Sequence, residues 1–592
     1  MADEINIEEI ARKYALQNAV QYGGKAQDGK VIAKVLAEKP ELRRMAKEII
    51  QSIKEVVSKV NSMSVEEQKK ELETKWPELL EKHVKAKRVG LPELKNVTGK
   101  VVMRFAPGPS GPLHIGHTRA AILNDEYTKM YNGKLILRIE DTDPERVHPK
   151  AYEMIPEDLT WLGVNWHETV IQSDRFELYY DYAEKLIKMG HAYVCDCKVE
   201  DWRALKIKKM PCPHRARPPE EQIERFKMMF DGTYKAGQAS VVIKTNIEDP
   251  NPALRDWVAL RIVEHPHPRT GTKYRVYPLM NFSVAIDDHE LGMTHTLRGK
   301  DHLNNTYRQY YIFDYFGWER PEYIHYGRVK IIGTELSKRK IDEGVKSGKY
   351  TGYDDPRLGT LKALAKRGIS PEAIRKYWVA AGTKEVDLEF SWKTLYAFDT
   401  EIQDPNAKRY FFVWEPKEIS IEGISHIESH APYHPMQPRL GNRVIKLDAK
   451  EGRIKLLITS EDYAQLSNGT KVRLKDLCNI EYLGDGHAKY IGNDLSIIKS
   501  GAKIIHWVPI DGIKTKVRLP DGDVISGISE PLVLNEHDKV VQFERFGFTR
   551  VEKTDNEITA YYSHGGWYDQ RIERKKCEGD TGESIEDEEE LD

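Results

Sequence analysis

Two histidines three positions apart, His114 and His117, flank Gly116 in the stretch "RFAPGPSGPLHIGHTRAAILN". An apolar, strand-like run leads into a Pro- and Gly-rich loop, and a helical pattern begins at the histidines. A helix start offers unpaired backbone N–H groups and partial positive charge, which together attract phosphate. Gly116 permits close backbone approach to a ligand, and the two imidazoles add donors. No acid stands at a spacing that would complete a nucleophilic triad. The pattern therefore suits holding a polyphosphate and stabilising charge that develops on it. On its own the tetrapeptide reads equally as a zinc ligand pair or as capping histidines.

Two further groups carry chemistry. "IIGTELSKRKIDEG" places Ser337 and Lys338 in a short basic loop far downstream, where an isolated basic cluster would ordinarily be solvated surface. Cys195, Cys197, Cys212 and His214 form the pattern C-x-C-x14-C-x-H, three thiolates and an imidazole that would satisfy a tetrahedral structural zinc. The alternative is four reduced, unliganded side chains.

The elements that must position these groups are legible from periodicity. "VVMRFA" and "LILRIE" are predicted strands on either side of a helix from His114, a strand–helix–strand unit of parallel-sheet type. Residues 1–95 read as helices, with a capping box at Ser64. Residues 99–345 form the expected α/β domain, interrupted at 193–277 by an insertion marked by Cys and Pro. Residues 346–405 are expected to be helical. Residues 406–576, with short alternating strands such as "NRVIKLDAK" and "RIKLLITS", are expected to be all-β.

A chain of 592 residues exceeds one hydrophobic core. Charged residues make up 31%, and no apolar run approaches a membrane span. The first thirty residues lack a secretory pattern, and five cysteines form no disulfide framework. A cytoplasmic protein is the expectation. The net charge of −2 conceals an acidic tail, 577–592, which carries nine acidic residues and is expected to be disordered. Without it the chain is mildly basic, which suits a polyanionic partner.

Taken together, Pro-x-Gly-x-Leu-His-Ile-Gly-His and Glu-Leu-Ser-Lys-Arg resemble the two signature motifs of class I aminoacyl-tRNA synthetases. "LRIEDTDPER" and "YPLMNFSVAIDDHELGMTHTLRGKDH" follow in the order and spacing of glutamyl-tRNA synthetases. The helical extension and the β-rich last third are similar to the archaeal-type branch. The resemblance implies a Rossmann-type catalytic domain with an inserted acceptor-binding domain, a helical connecting domain and β-barrel anticodon-binding domains. It also implies ATP-dependent attachment of L-glutamate to tRNA(Glu) through an adenylate, with tRNA(Gln) charged as well, and Mg²⁺ accompanying ATP.

By the same resemblance, Pro107, Gly108, His114, Gly116, His117, Arg328, Ser337 and Lys338 would bind ATP, with His114, His117 and Lys338 acting on the reacting phosphate. Arg104, Glu140 and Arg298 would bind glutamate, Arg298 facing its side-chain carboxylate and Glu140 its ammonium. Glutaminyl enzymes lack an arginine at that position. Met280 stands where relatives often carry a tyrosine, a role not transferred to nearby Tyr277. The cysteine set lies in the insertion that contacts the acceptor end. Lys408, Arg409 and the aromatics after them could bind RNA or could be strand core. The rival readings are a glutaminyl-tRNA synthetase and a silent paralogue that only binds RNA. The N-terminal helices would be an ordinary packing domain or a docking site for a protein partner.

Overall fold

Helix starts in the N-terminal region follow capping chemistry. Asn6 accepts the Glu9 N–H and opens α1 (Ile7–Gln21). It is followed by α2 (Asp28–Glu38), α3 (Ala46–Asn61) and α4 (Val65–Lys75). Ser64 and Glu67 cap α4 reciprocally, as the capping-box spacing predicts. Ala15, Leu16, Val31, Ile53, Val57 and Leu72 form the apolar centre, and Arg12 on α1 donates twice to Glu71 on α4 at 2.7 Å. The computed structural model describes residues 6–39, 42, 46–79, 90–554 and 557–570, and the chain divides into two units, Met1–Val89 and Gly90–Asp592. The acidic tail lies outside the described residues. Among those residues no helix is long and apolar enough to cross a membrane.

In the second unit β1 (Val102–Phe105), α5 (Ile115–Met130) and β2 (Lys134–Ile139) form the expected parallel crossover. The turn into β2 requires Gly133, since a Cβ there would lie 2.4 Å from the Val101 carbonyl oxygen. After α6 (Ala151–Trp161), β3 (Glu168–Ile171) adds to the far side of β2, and α7 (Phe176–Lys188) leads away.

The insertion comprises β4 (Ala192–Cys195), α8 (Val199–Ile207), α9 (Pro219–Phe230), β5 (Ser240–Ile243), β6 (Trp257–Ile262) and β7 (Val276–Pro278). Its four strands are antiparallel and adjacent in chain order.

The chain then returns through α10 (Met280–Glu290), β8 (His295–Gly299), α11 (Leu303–Phe316) and β9 (Glu322–Tyr326). β8 and β9 are parallel, and Thr294 bonds through its N–H and hydroxyl to Val102, bringing β8 alongside β1. The spatial order β3-β2-β1-β8-β9 is that of a doubly wound sheet, whose ligands sit beyond the strands' carboxyl ends.

Next come β10 (Val329–Lys330), α12 (Lys338–Lys346), α13 (Leu361–Arg367), α14 (Pro371–Ala381), β11 (Leu388–Glu389) and α15 (Trp392–Gln403). Thr360 caps α13 and Gly368, left-handed at φ 82°, ends it; Ser370 with Pro371 at the first position starts α14. Trp378 is fully buried between α14 and α5, donating to Thr118 at 2.6 Å.

Beyond residue 408 the chain forms two seven-stranded sheets and a two-stranded ribbon. Asn442–Asp448 alternates buried and exposed residues at period two. Tyr410, Phe411, Phe412 and Trp414 are buried at 3% exposure or less, so these aromatics are sheet core and have no faces free for bases. Lys408 pairs with Glu536, and Arg409 with Asp404.

Candidate active site and metal centre

The loop 106–114 leaves β1 at its carboxyl end and enters α5. His114 is the N-cap of α5: its Nδ1 accepts the Gly116 N–H, and His117 Nδ1 accepts the His114 N–H, both at 3.1 Å. The rings lie 3.7 Å apart between centroids. Burial, then the nearby Lys338 charge, pushes His114 down to about 3, and burial holds His117 well below its ordinary value. Both rings are therefore neutral at physiological pH. Because each Nδ1 accepts, each Nε2 carries the proton and serves as a neutral donor. Gly116 makes room for this: a Cβ there would sit 2.9 Å from His114 Cε1 and 3.0 Å from Nδ1.

The second signature loop closes over the first. Lys338 crosses Gly111, whose virtual Cβ would lie 3.7 Å from Lys338 Cδ, and Nζ reaches Ser110 Oγ at 3.0 Å across 228 residues of sequence. Burial pushes the Lys338 ammonium down to about 8 against the pull of Asp342 and Asp158. Ser337 is the N-cap of α12, and the Glu335 carboxylate accepts the N–H groups of Leu336 and Ser337. Glu335 thus braces its own loop. One backbone segment stitches the two loops together: Gly359 donates to Glu335 O and accepts from Ile115, and Leu361 donates to Leu113 O. Asp158 adds a bond to the Leu113 N–H at 2.8 Å.

Pro107 accepts the Glu140 N–H, tying the loop to the end of β2, and Gly108 packs 3.9 Å from the Glu140 carbonyl oxygen, measured from a virtual Cβ. Arg328 is exposed, and its backbone N–H is held by Asp387 at 2.7 Å.

Beyond the strand ends lies a buried charge cluster that holds the three remaining expected residues. Arg104 donates through Nε to Asp288 at 3.1 Å. Glu140 is bound by Arg138 at 2.9 Å, and Arg138 also reaches Asp288 at 2.7 Å. Arg298 lies over the Tyr323 ring at 4.6 Å and donates to Gln309 at 2.9 Å. Burial would raise Asp288, but Arg104, Arg138 and Arg298 together hold its carboxyl below the usual range. Burial raises Glu140 despite Arg138 and Arg104. Burial, then Arg104, lowers Arg298. Arg138 and Asp288 escaped the sequence reading. The available signal was a charge inside each apolar run, "LILRIE" and "SVAIDD".

The cysteine set converges. Cys212 Sγ lies 3.6 Å from both Cys195 and Cys197, and His214 Nδ1 lies 3.5–3.8 Å from all three sulfurs. Ligands about 2.0–2.3 Å from a central zinc would be spaced in this way. His214 Nε2 meets Asp196 at 2.7 Å, and Arg225 and Arg217 hold that carboxylate in turn. This is the outer shell that orients a ligating imidazole.

Known proteins resemble the chain in the same segments. The family model described as "tRNA synthetases class I (E and Q), catalytic domain" matches residues 100–404, and the corresponding anti-codon binding domain matches 407–493. The glutamate–tRNA ligase of Methanothermobacter thermautotrophicus is 48% identical over 95% of this chain and all of its own length. That of Methanocaldococcus jannaschii is 49% identical over 94% of this chain and all of its own, and that of Methanococcus maripaludis 50% over 93% and 99%.

Two outcomes follow from the geometry. Gly116→Ala should displace the His114 ring and weaken ATP binding at least tenfold by calorimetry, with thermal stability nearly unchanged; unaltered affinity would show that the ring need not stay in place. Dialysed protein should retain about one zinc per chain, and Cys212→Ser should lose it; less than about a tenth of an equivalent in the parent would reject the site.

Proposed function

The chain belongs to the class I tRNA synthetases of the glutamate and glutamine branch, and we propose on that footing that it joins L-glutamate to tRNA at the expense of ATP. The observation that carries the choice of glutamate is Arg298. It is 7% exposed, yet among the described residues it has no carboxylate partner, whereas Arg104, Arg138 and Arg175 are each paired. Arg104, Arg138, Arg175 and Arg298 face Glu140, Asp287 and Asp288, leaving one cation in excess. An unpaired buried guanidinium is costly until an anion arrives. Glutamate brings one net negative charge; glutamine brings none.

In the first step the substrate α-carboxylate attacks the α-phosphorus of ATP, pyrophosphate leaves, and glutamyl-adenylate forms. In the second a terminal ribose hydroxyl of tRNA attacks the acyl carbon and AMP leaves. Neither step needs a protein nucleophile, which agrees with a site of donors and cations. The Nε2–H groups of His114 and His117 and the α5 N-terminus would hold the triphosphate, with Mg²⁺ bound to the nucleotide. Lys338 would place its charge on the departing phosphates, where it counts most in the transition state. Pro107, Gly108 and Ser337 would shape the loops, and Arg328 would line the nucleotide's outer edge. Arg104 and Arg298 would receive substrate carboxylates, and the free Glu140 oxygen the ammonium.

Cys195, Cys197, Cys212 and His214 fit a structural zinc that would brace the insertion, whose role we assign to the acceptor end of tRNA. The β-rich region would read the anticodon. The archaeal-type resemblance extends the proposal to tRNA(Gln), which charging of both purified tRNAs tests.

Lys338→Ala should reduce glutamate- and tRNA-dependent pyrophosphate exchange by about a hundred- to thousand-fold while tRNA binding stays within twofold. Lys338 acts protonated, so with its ammonium at about 8 in the free protein, kcat/KM for ATP should hold below that pH and fall tenfold per unit above it. Lys338→Arg should abolish that fall, and an alkaline limb surviving in this variant would assign it to another group. Arg298→Cys should shift the glutamate-to-glutamine preference by at least about a hundredfold; an unchanged ratio would remove Arg298 from selection.

A further inference from the structure

Asp287 and Asp288 are neighbours on α10, both are fully buried and both approach Arg138, at 4.0 and 2.7 Å, yet their hydrogen-bond partners differ. Asp287 is satisfied by the framework: Arg175 donates to Oδ1 at 2.8 Å, and Gln172 and Tyr179 donate to Oδ2 at 2.8 and 2.7 Å. Asp288 faces β1 and β2. Its Oδ1 accepts from Arg104 Nε and Arg138 Nη1, while Oδ2 is buried without a partner. A bare interior carboxylate oxygen is costly and is found where something other than packing sets the arrangement.

The two arginines it holds differ. Arg138 has a partner on every nitrogen, with Nε and Nη2 on Glu140 and Nη1 on Asp288. Arg104 is bound through Nε alone, so among the described residues neither terminal nitrogen has a protein partner. Those two nitrogens form the edge of the guanidinium that pairs bidentately with a carboxylate. Arg298 Nε is likewise buried and without a partner.

We propose that Asp288 is a positioning residue for glutamate: it clamps Arg104 by its inner nitrogen so that the outer pair faces the substrate. Its charge also limits the cationic excess of the cluster to the single unit that glutamate neutralises. This rests on the assignment of glutamate as substrate. Asp288→Asn keeps the shape but doubles the excess and weakens the clamp.

The test is steady-state charging of tRNA by the full-length protein. Asp288→Asn should raise KM for glutamate at least tenfold while KM for ATP stays within twofold and kcat falls less than threefold. Asp287→Asn, which adds the same unit of charge but leaves the Arg104 clamp intact, should lower the melting temperature and raise KM for glutamate less than half as much as Asp288→Asn. Arg104→Lys and Asp288→Asn should be strongly non-additive in KM for glutamate, since each breaks the same clamp. If the asparagine variant does not fold, Asp288→Glu, which moves the oxygen by one methylene, should raise KM for glutamate at least threefold with KM for ATP held. A glutamate KM within twofold of the parent in the folded variant, or an equal rise in KM for ATP, would overturn the role. Failure of the parent itself to charge tRNA with glutamate would instead overturn the substrate assignment.

Discussion

The site depends on one stretch of backbone. Gly359 bonds on one side to Glu335 and on the other to Ile115, so residues that open α13 stitch the lysine loop to the histidine turn. The stitch is tight enough to exclude a side chain: a Cβ on Gly359 would lie 2.5 Å from Leu336 Cδ2 and 2.8 Å from Thr334 Cγ2. Through it, the packing of α14 against α5 bears on where Lys338 lies relative to His114 and His117. Groups held within a few tenths of an ångström need not be reorganised as a reaction proceeds, which is where such sites gain rate.

Charge is divided between two neighbouring regions of the sheet's carboxyl edge. At the start of α5 the imidazoles are neutral, and Lys338 is the full positive charge, softened by its own burial. In the proposed role, attraction for phosphate would come from oriented N–H groups and one ammonium, not from a cationic histidine pair. In the cluster around Asp288 the charges are formal, numerous and buried, and they cancel almost completely. A nearly balanced cluster can be kept out of water, and in the proposed assignment its single missing anion would be what selects the substrate.

Much of the framework was legible in the chain. The parallel crossover around α5 and the β-rich last third follow from hydrophobic period and turn residues, because those patterns are local consequences of burying one face, whereas the antiparallel pairing within the insertion was given only by the fold. The cysteine set was legible too, since C-x-C and C-x-H each span one turn. Residues 408–414 were not: aromatics beside basic residues read equally as an RNA surface or as core, and only their burial within a sheet separates the two. The part played by Glu335 was not legible either: only the fold puts its carboxylate on its own loop's N–H groups.

The sequence by itself determined the residue types at the helix start, the lysine loop, the four metal-type ligands and the order of elements, because spacing along the chain carries that information directly. The tertiary structure alone decided which charges meet. Arg104, Arg138, Asp288 and Arg298 come from two strands of one half of the sheet and a helix and strand of the other, separated by an entire inserted domain. The sign and strength of an ionisable group depend on burial and on neighbours that spacing does not reveal, so the histidines' neutrality and the cluster's missing anion emerge only once the chain is folded.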